Sequence, residues 1–271
     1  MSEQDRKAKL IQTFDDVAPG YDNPALRFFS RSAEQLAVFL RLKGSEHVLD
    51  VATGTGSTAL AIARRLPTGR VFGIDISTGM LAQAKVRAAA AKLHNVCFQE
   101  MDMQSMDLPD NHFDVATVAF GIFFVDDMEQ QLIRIARKVR SGGLIAVTGF
   151  HRDSFIPMID LFFRRLRLFG IERPSSSWKR VATEEKASAL FRAAGFSGVR
   201  TEWKNLGYYL TNANEWWDVI WYSGYRRLVN ELSAKDLEEF RIAHLQEIQT
   251  MATNDGIWLD VGVLFSFGTK S

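Results

Sequence analysis

Val48-Leu-Asp-Val-Ala-Thr-Gly-Thr-Gly-Ser57 is the stretch that decides the fold. It starts as a short apolar strand containing Asp50, and the turn Gly54-Thr55-Gly56 follows directly. The next residues, from Thr58 to Leu66, are rich in alanine and leucine and are typical of a helix. A strand, a glycine turn and a helix form the first unit of a nucleotide-binding α/β sheet. There, backbone N–H groups and the positive end of the helix approach a ligand closely.

The residues around this turn indicate which ligand it binds. The next apolar run ends at Asp75, where a carboxylate can accept both hydroxyl groups of an adenosine ribose. NAD also has such a ribose, but position 59 is Ala, where the G-x-G-x-x-G fingerprint has its third glycine. Asp50 would repel a pyrophosphate and suits a cationic ammonium group. S-adenosylmethionine has an adenosine, an ammonium and no phosphate, so the pattern favours it over NAD.

These motifs resemble those of the class I S-adenosylmethionine-dependent methyltransferases. The closest resemblance is to the branch of ubiquinone and menaquinone C-methyltransferases, over roughly the first three quarters of the chain. It implies an α/β fold, a Rossmann-like sheet of about seven mostly parallel strands with helices on both faces and an antiparallel last strand.

The same resemblance divides the chain into a lid and a catalytic domain. Residues 1–44 are predicted as an N-terminal helical lid, because Phe14-Asp-Asp-Val-Ala-Pro-Gly-Tyr-Asp22 is similar to the lid of the quinone-methylating branch. Residues 45–271 are predicted as the methyltransferase domain, with an amphipathic, cap-like insertion over the pocket at about 153–181. The segment from Ile257 to Phe267 is predicted as one terminal strand.

The predicted cofactor site collects residues from the lid and from several strand ends. The resemblance implies that Tyr21 folds over the cofactor, that Ile76 and Met103 lie against the adenine, and that Asp102 accepts from the adenine amino group. The full predicted set is Tyr21, Asp50, Ala52, Thr53, Gly54, Thr55, Gly56, Asp75, Ile76, Asp102, Met103 and Phe120.

The predicted chemistry needs few catalytic groups, because the positive sulfur already activates the methyl group. Positioning and exclusion of water then supply much of the acceleration, and a base is needed only for an acceptor that arrives protonated. His151 is the candidate base, since it follows strand five at the sheet edge where ligands bind. The pair Asp126 and Asp127 could indicate a metal site, but no third ligand is apparent in the sequence. Carboxylates at the start of a helix interact favourably with the helix macrodipole, which explains the pair without a metal, and we expect none.

Composition and motifs limit the partners. The net charge of +1 offers no field for nucleic acid, and Ala119-Phe-Gly-Ile122 stands where base-methylating enzymes carry an Asn- or Asp-Pro-Pro motif. We therefore expect a small, partly apolar or aromatic acceptor. No apolar run is long enough to span a membrane and the N-terminus is unlike a signal peptide, so we expect a cytoplasmic protein. Cys97 lies in an apolar run and is predicted to be buried.

Several alternatives remain open at this level. A non-catalytic S-adenosylmethionine-binding or scaffolding protein would keep the same carboxylates. An NAD-dependent dehydrogenase or a macromolecule-modifying methyltransferase fits less well. Arg164, Arg165 and Arg167 form either a solvated face or a contact with an anionic substrate or membrane surface. The C-terminal aromatic residues form either a core or a substrate wall, and the oligomeric state is not specified.

Overall fold

A computed structural model describes residues 3–173 and 177–271. Residues 1–2 of the predicted lid and residues 174–176 of the predicted insertion lie outside the described residues. The first half of the chain alternates helices and strands: α1 Glu3–Val17, α2 Phe28–Phe39, β1 His47–Val51, α3 Ser57–Ala63, β2 Arg70–Asp75, α4 Thr78–Ala90, β3 Val96–Glu100, β4 Phe113–Ala119, α5 Met128–Lys138 and β5 Val139–Phe150. The second half is more helical: α6 Met158–Leu168, α7 Glu184–Ala193, β6 Ser197–Asn205, β7 Tyr208–Leu210, α8 Ala213–Trp221, α9 Arg226–Val229, α10 Ala234–Gln249, β8 Ile257–Leu259 and β9 Gly262–Thr269.

In the described residues, seven strands form one sheet in the order β3-β2-β1-β4-β5-β9-β6. The strands from β1 to β5 pair in parallel, while β9 is antiparallel to both β5 and β6. This arrangement confirms the predicted Rossmann-like sheet with its antiparallel last strand. Because β1 and β4 are central, their carboxyl ends meet where the strand order reverses, which is the usual ligand position in open α/β sheets.

The two faces of the sheet carry separate hydrophobic cores. Side chains of a strand alternate between faces, so Val48 of β1 joins the core under α2 and α3 while Leu49 joins the core under α5 and α7. The helix α3 is buried on nearly all sides because its small side chains allow close packing against the sheet and α2. This packing fixes the glycine turn that precedes α3.

The C-terminal part differs from the prediction. The predicted terminal strand is interrupted after Leu259, because β8 pairs with β7 in a second, two-stranded sheet and only β9 joins the main sheet. Residues 206–261 therefore form a further insertion, between β6 and β9, which carries α8, α9 and α10. Its helices pack with α6 around Trp216, Phe162 and Phe240. The aromatic residues of this region are thus largely core.

Two smaller predictions are also corrected or completed. Cys97 is exposed, because β3 is an edge strand of the sheet and leaves one side uncovered. Arg164 and Arg165 on α6 both donate to the carboxylate of Glu247 on α10, and therefore tie two helices together. No helix within residues 3–173 and 177–271 is long and apolar enough to cross a bilayer.

Candidate active site

A cavity of about 330 Å³ opens at the carboxyl ends of β1, β2 and β4 and is covered by the N-terminal segment. Its floor is the stretch after β1, where Gly54 and Gly56 adopt left-handed backbone conformations, with φ of 56° and 82°. Residues with a Cβ atom rarely adopt this conformation, which explains the glycines at both positions. Gly56 itself does not line the cavity. Its missing side chain leaves room for Phe98 and Ala84, which would lie 3.1 and 3.2 Å from an added Cβ atom.

Two residues with side chains share this left-handed conformation at the cavity. Ala52 follows β1 and Phe120 follows β4, each with φ of 54°. Such conformations are unfavourable for residues other than glycine and occur often at functional sites, where the surrounding structure enforces them. Here the strand ends turn sharply, so that both residues line the cavity.

Asp75 joins the end of β2 to the glycine turn. Its Oδ2 atom accepts from the Gly54 N–H group at 2.8 Å, and Oδ1 accepts from Ser77 N–H at 2.9 Å. Burial raises the pKa of Asp75, and these N–H groups counteract part of that rise. Because each carboxylate oxygen can accept more than one hydrogen bond, both remain available to a ligand in the cavity.

Asp50 lies beneath the turn, and the structure does not bring it into the cavity lining. Its side chain is almost fully buried, with 1% exposed, and its two oxygens accept from the hydroxyl groups of Thr53 and Thr117, each at 2.6 Å. Burial raises the pKa of Asp50 to about 6. The residue therefore holds Thr53, which does line the cavity, rather than offering its own oxygens to a ligand.

Asp102 lines the opposite end of the cavity, after β3. Its Oδ1 atom accepts from the N–H group of Gln104, and its Oδ2 atom lies 2.6 Å from the Nζ atom of Lys7 on α1. Ile76 and Met103 line the same end. The three residues predicted to contact the adenine therefore line the same cavity, and Lys7 pairs with the carboxylate of Asp102.

The cover of the cavity is largely aromatic. Tyr21 stacks on Phe29 at 5.0 Å, and Phe29 contacts Phe120 at 5.1 Å between ring centroids. Phe14 of α1 meets Phe124 at 5.4 Å. Burial, followed by the charges of Asp75 and Asp22, raises the pKa of Tyr21, so its hydroxyl group stays neutral.

The sequence reasoning placed α1 in a helical lid but did not predict which of its residues line the cavity, and it missed most of the aromatic residues of the cover. Lys7, Leu10 and Phe14 are spaced three and four residues apart on α1, and all three line the cavity. That helical spacing was the available signal. Phe29 and Phe124 carried no comparable signal, because an isolated phenylalanine has the same pattern in a core as in a pocket. The other lining residues not predicted are Arg6, Ser57, Thr58, Met80, Met101, Gln104, Ala119, Gly121, Val125 and Asp126.

His151 is not among the residues that line the cavity. Its ring meets Trp203 on β6 at 6.2 Å, and its Nδ1 atom lies 3.5 Å from a carboxylate oxygen of Asp153. Side chains alternate at the end of β5, so Phe150 points towards Phe120 and His151 points the other way. His151 was the candidate base because it was expected to face the ligand at the sheet edge, and in the structure its side chain does not face the cavity.

The predicted insertion does not cover this cavity either. None of its described residues, 153–173 and 177–181, lines the cavity. They border a separate depression of about 260 Å³ at the end of β5, which includes Arg152, Asp160 and Trp178. The paired aspartates at α5 also have partners, since Asp127 caps the helix and Asp126 binds Arg6.

Comparisons with known proteins identify similar methyltransferases. A family profile described as a methyltransferase domain matches residues 48–143. A demethylmenaquinone methyltransferase from Listeria welshimeri is 28% identical over 214 residues, which cover 72% of this chain and 90% of that protein.

Solved structures show the same fold. The YcgJ protein from Bacillus subtilis has a TM-score of 0.59 at 21% identity, covering 89% of this chain and 98% of that one. A Haemonchus contortus phosphoethanolamine N-methyltransferase 2, in complex with phosphomonomethylethanolamine and S-adenosylhomocysteine, has a TM-score of 0.54 at 17% identity, covering 89% and 52%. With the glycine turn, the strand-end carboxylates and the sheet order, these similarities establish that the chain belongs to the class I S-adenosylmethionine-dependent methyltransferases and resembles their quinone-methylating branch.

Proposed function

We propose that the cavity binds S-adenosylmethionine and that the protein transfers its methyl group to a small acceptor with an apolar or aromatic ring. Asp75 carries the proposal for the cofactor. Its carboxylate lies at the strand end beside the glycine turn, lines the cavity and is held by two N–H groups. These are the requirements for holding the ribose hydroxyl groups.

The other lining residues contact different parts of the proposed cofactor. Asp102 accepts from the adenine amino group and shares its oxygens with Lys7, which a carboxylate can do. Ile76 and Met103 pack on the adenine ring, and Thr53, Gly54 and Thr55 border the methionine end. Asp50 supports Thr53 from below.

The aromatic cover supports an apolar or aromatic acceptor. Tyr21, Phe29, Phe120 and Phe124 present flat apolar surfaces to the cavity. Such surfaces favour stacking with another ring and keep water away from the sulfonium. The similar Listeria protein is named a demethylmenaquinone methyltransferase, which makes demethylmenaquinone and its quinol the first acceptors to test.

We assign no proton transfer to His151. In-line positioning of an acceptor against the sulfonium, under the aromatic cover of the cavity, supplies the catalytic effect. An acceptor that already carries an anion or an activated carbon needs no base from the protein.

The cofactor assignment is tested by replacing Asp75 with Asn. The variant keeps the shape of the side chain but loses its charge, so S-adenosylhomocysteine should bind about 1.5–3 kcal/mol more weakly, roughly tenfold to a hundredfold. Calorimetry measures this directly, and Asp107→Asn is the matched control, since Asp107 is exposed and does not line the cavity. Equal affinities of the Asp75 variant and the wild type would contradict the assignment.

Transfer itself is tested with methyl-labelled S-adenosylmethionine and pooled quinols, phenols and amines. Label in an extracted aromatic product supports the proposal. Tight cofactor binding without transfer to any pool would favour a non-catalytic binding protein.

A further inference from the structure

The guanidinium group of Arg87, on α4, lies where the cover and the floor of the cavity meet. Its Nη1 atom is 2.9 Å from both the carbonyl and the hydroxyl oxygen of Thr55 and 3.0 Å from the hydroxyl oxygen of Ser57. The same atom is 2.6 Å from Oδ1 of Asp22. The Thr55 hydroxyl donates to that Asp22 oxygen at 3.0 Å, which closes the cluster.

Each partner of Arg87 belongs to a different wall of the site. Thr55 and Ser57 are part of the glycine turn and line the cavity. Asp22 follows Tyr21, which covers the cavity from the lid side. One arginine therefore contacts the floor and the lid at once, although it does not itself line the cavity.

Arg87 adds to the hydrogen bonds that already hold the turn, which are accepted by Asp75 and by the Thr53 carbonyl. Thr55 lies between two glycines in left-handed conformations, and glycine backbones have many accessible conformations of similar energy. Hydrogen bonds from the Nη1 group of Arg87 to the carbonyl and hydroxyl of Thr55 favour one of these conformations.

The charges of Arg87 and Asp22 depend on each other. Solvent reaches only part of the two side chains, 29% and 36%. Burial raises the pKa of Asp22 and lowers the pKa of Arg87, while each charge favours the other. Removing either charge leaves its partner poorly solvated and weakens the contact between lid and turn.

We propose that Arg87 is a positioning residue that locks the lid onto the glycine turn, so that release of the cofactor requires the contact between Arg87 and Asp22 to open. The inference rests on the proposed binding of S-adenosylmethionine in this cavity. Arg87 acts through Thr55 and Asp22 and not on the reacting atoms.

Loss of this contact should raise the dissociation rate of the cofactor more than it changes the association rate. In Arg87→Gln and in Asp22→Asn, S-adenosylhomocysteine should dissociate about tenfold faster, because a charge-assisted contact is lost, while the association rate changes by less than about threefold. The double variant should be no faster than either single variant, because both remove the same contact. Arg87→Lys should be intermediate, since it keeps the charge but carries it on a shorter side chain that does not reproduce the contacts of Nη1.

Stopped-flow displacement of bound S-adenosylhomocysteine measures these rates. The matched control is Arg167→Gln, which removes an exposed helix arginine that lies near Glu172 on the surface and does not line the cavity. Hydrogen exchange of the amides of residues 4–17, with no cofactor present, is a second measurement. Exchange there should be faster in Arg87→Gln than in the wild type or in Arg167→Gln.

The outcomes separate this inference from the proposed function. If the wild type binds S-adenosylhomocysteine and both single variants release it at the wild-type rate, the lock is overturned. If the wild type does not bind S-adenosylhomocysteine, the proposed function fails. Hydrogen exchange then tests the contact between lid and turn, and equal exchange of residues 4–17 in Arg87→Gln and the wild type overturns the inference. If Arg87→Gln does not fold, Asp22→Asn carries the test, and an unchanged dissociation rate in that variant overturns the inference.

Discussion

At the scale of single residues, Asp50 is buried where its charged form is unfavourable for folding. Its carboxylate is enclosed under the turn, with the hydroxyl groups of Thr53 and Thr117 as its hydrogen-bond donors. Hydroxyl groups solvate a buried negative charge less well than water, so burial raises the pKa of Asp50 to about 6. At neutral pH the carboxyl group is ionised and has two neutral hydroxyl groups as its hydrogen-bond partners. A cationic ligand nearby would stabilise this charge.

The raised pKa predicts how stability depends on pH. The folded pKa of about 6 exceeds the unfolded value of about 3.9, so the folded state binds more protons in between. The stabilising effect of the bound proton is complete below pH ~4 and is lost as the pH rises through ~6, at a cost of up to about 3 kcal/mol. Asp50→Asn should therefore make the cofactor-free protein more stable than the wild type at pH 7, with a smaller difference at pH 4.5.

Urea unfolding at both pH values measures this difference, with Asp107→Asn as the exposed control. If Asp50→Asn is less stable than the wild type at pH 7, the prediction is wrong, and the hydroxyl groups of Thr53 and Thr117 fully offset the cost of burying the Asp50 charge.

At the scale of elements, the N-terminal segment forms two units with different packing. The helix α2 belongs to the main core beside β1, whereas α1 and the turn after it pack in a separate small cluster with Met80 of α4. Asp15 of α1 accepts from the hydroxyl group of Ser77 and from the N–H group of Gly79 at the start of α4. The part up to Tyr21 therefore covers the cavity while adding little to the main core, which Ala25 and Leu26 then join.

Deletion of residues 1–22 should leave a folded protein that binds S-adenosylhomocysteine at least tenfold more weakly. The expected loss follows from the removal of Lys7, Phe14 and Tyr21 from the cavity wall. Thermal unfolding and calorimetry check the two halves of this prediction. Deletion of residues 1–4 is the matched control, because it removes none of those three residues. An unfolded or insoluble longer deletion would make the segment structural and would contradict its role as a lid.

At the scale of the whole molecule, the two insertions form one helical layer outside the sheet. His244 of α10 lies in its centre, where its Nε2 atom accepts from the Nε1–H group of Trp216 at 2.9 Å. Its Nδ1 atom has no hydrogen-bond partner in the described structure. Burial, with a smaller contribution from Arg165, lowers the pKa of His244 to about 4, against a raising effect of Glu247.

This layer should be sensitive to acid. The unfolded state binds a proton at His244 below pH ~6.5 but the folded state only below about 4, so stability falls as the pH drops between these values, by up to about 3 kcal/mol. His244→Gln keeps an acceptor for Trp216 and does not titrate, so its free energy of unfolding should change less between pH 7 and pH 4.5 than that of the wild type. His94→Gln, at an exposed position, is the control for urea unfolding at the two pH values. An equal loss in the wild type and the His244 variant would show that other groups cause the acid sensitivity.

The sequence by itself determined the parts of this protein that depend on neighbouring residues. The glycine turn and Asp75 at the end of its strand are encoded over a few positions, through left-handed backbone conformations and strand alternation. The start of α10 is encoded in the same local way, because the side chain of Ser233 accepts from the N–H group of Asp236 three residues later. The family resemblance then implied a sheet of about seven mostly parallel strands with an antiparallel last strand, which the structure confirms.

Only the tertiary structure decided which side chains meet across the sheet. It brought Lys7, Phe29 and Arg87 to the cofactor end of the fold from three different helices, and it turned His151 towards Trp203 instead. It also broke the last apolar run into two strands in different sheets, because Ile257–Leu259 pairs with β7 and Gly262–Thr269 with β5 and β6. These outcomes depend on packing between segments far apart in the chain, and a local pattern of residues does not encode such contacts.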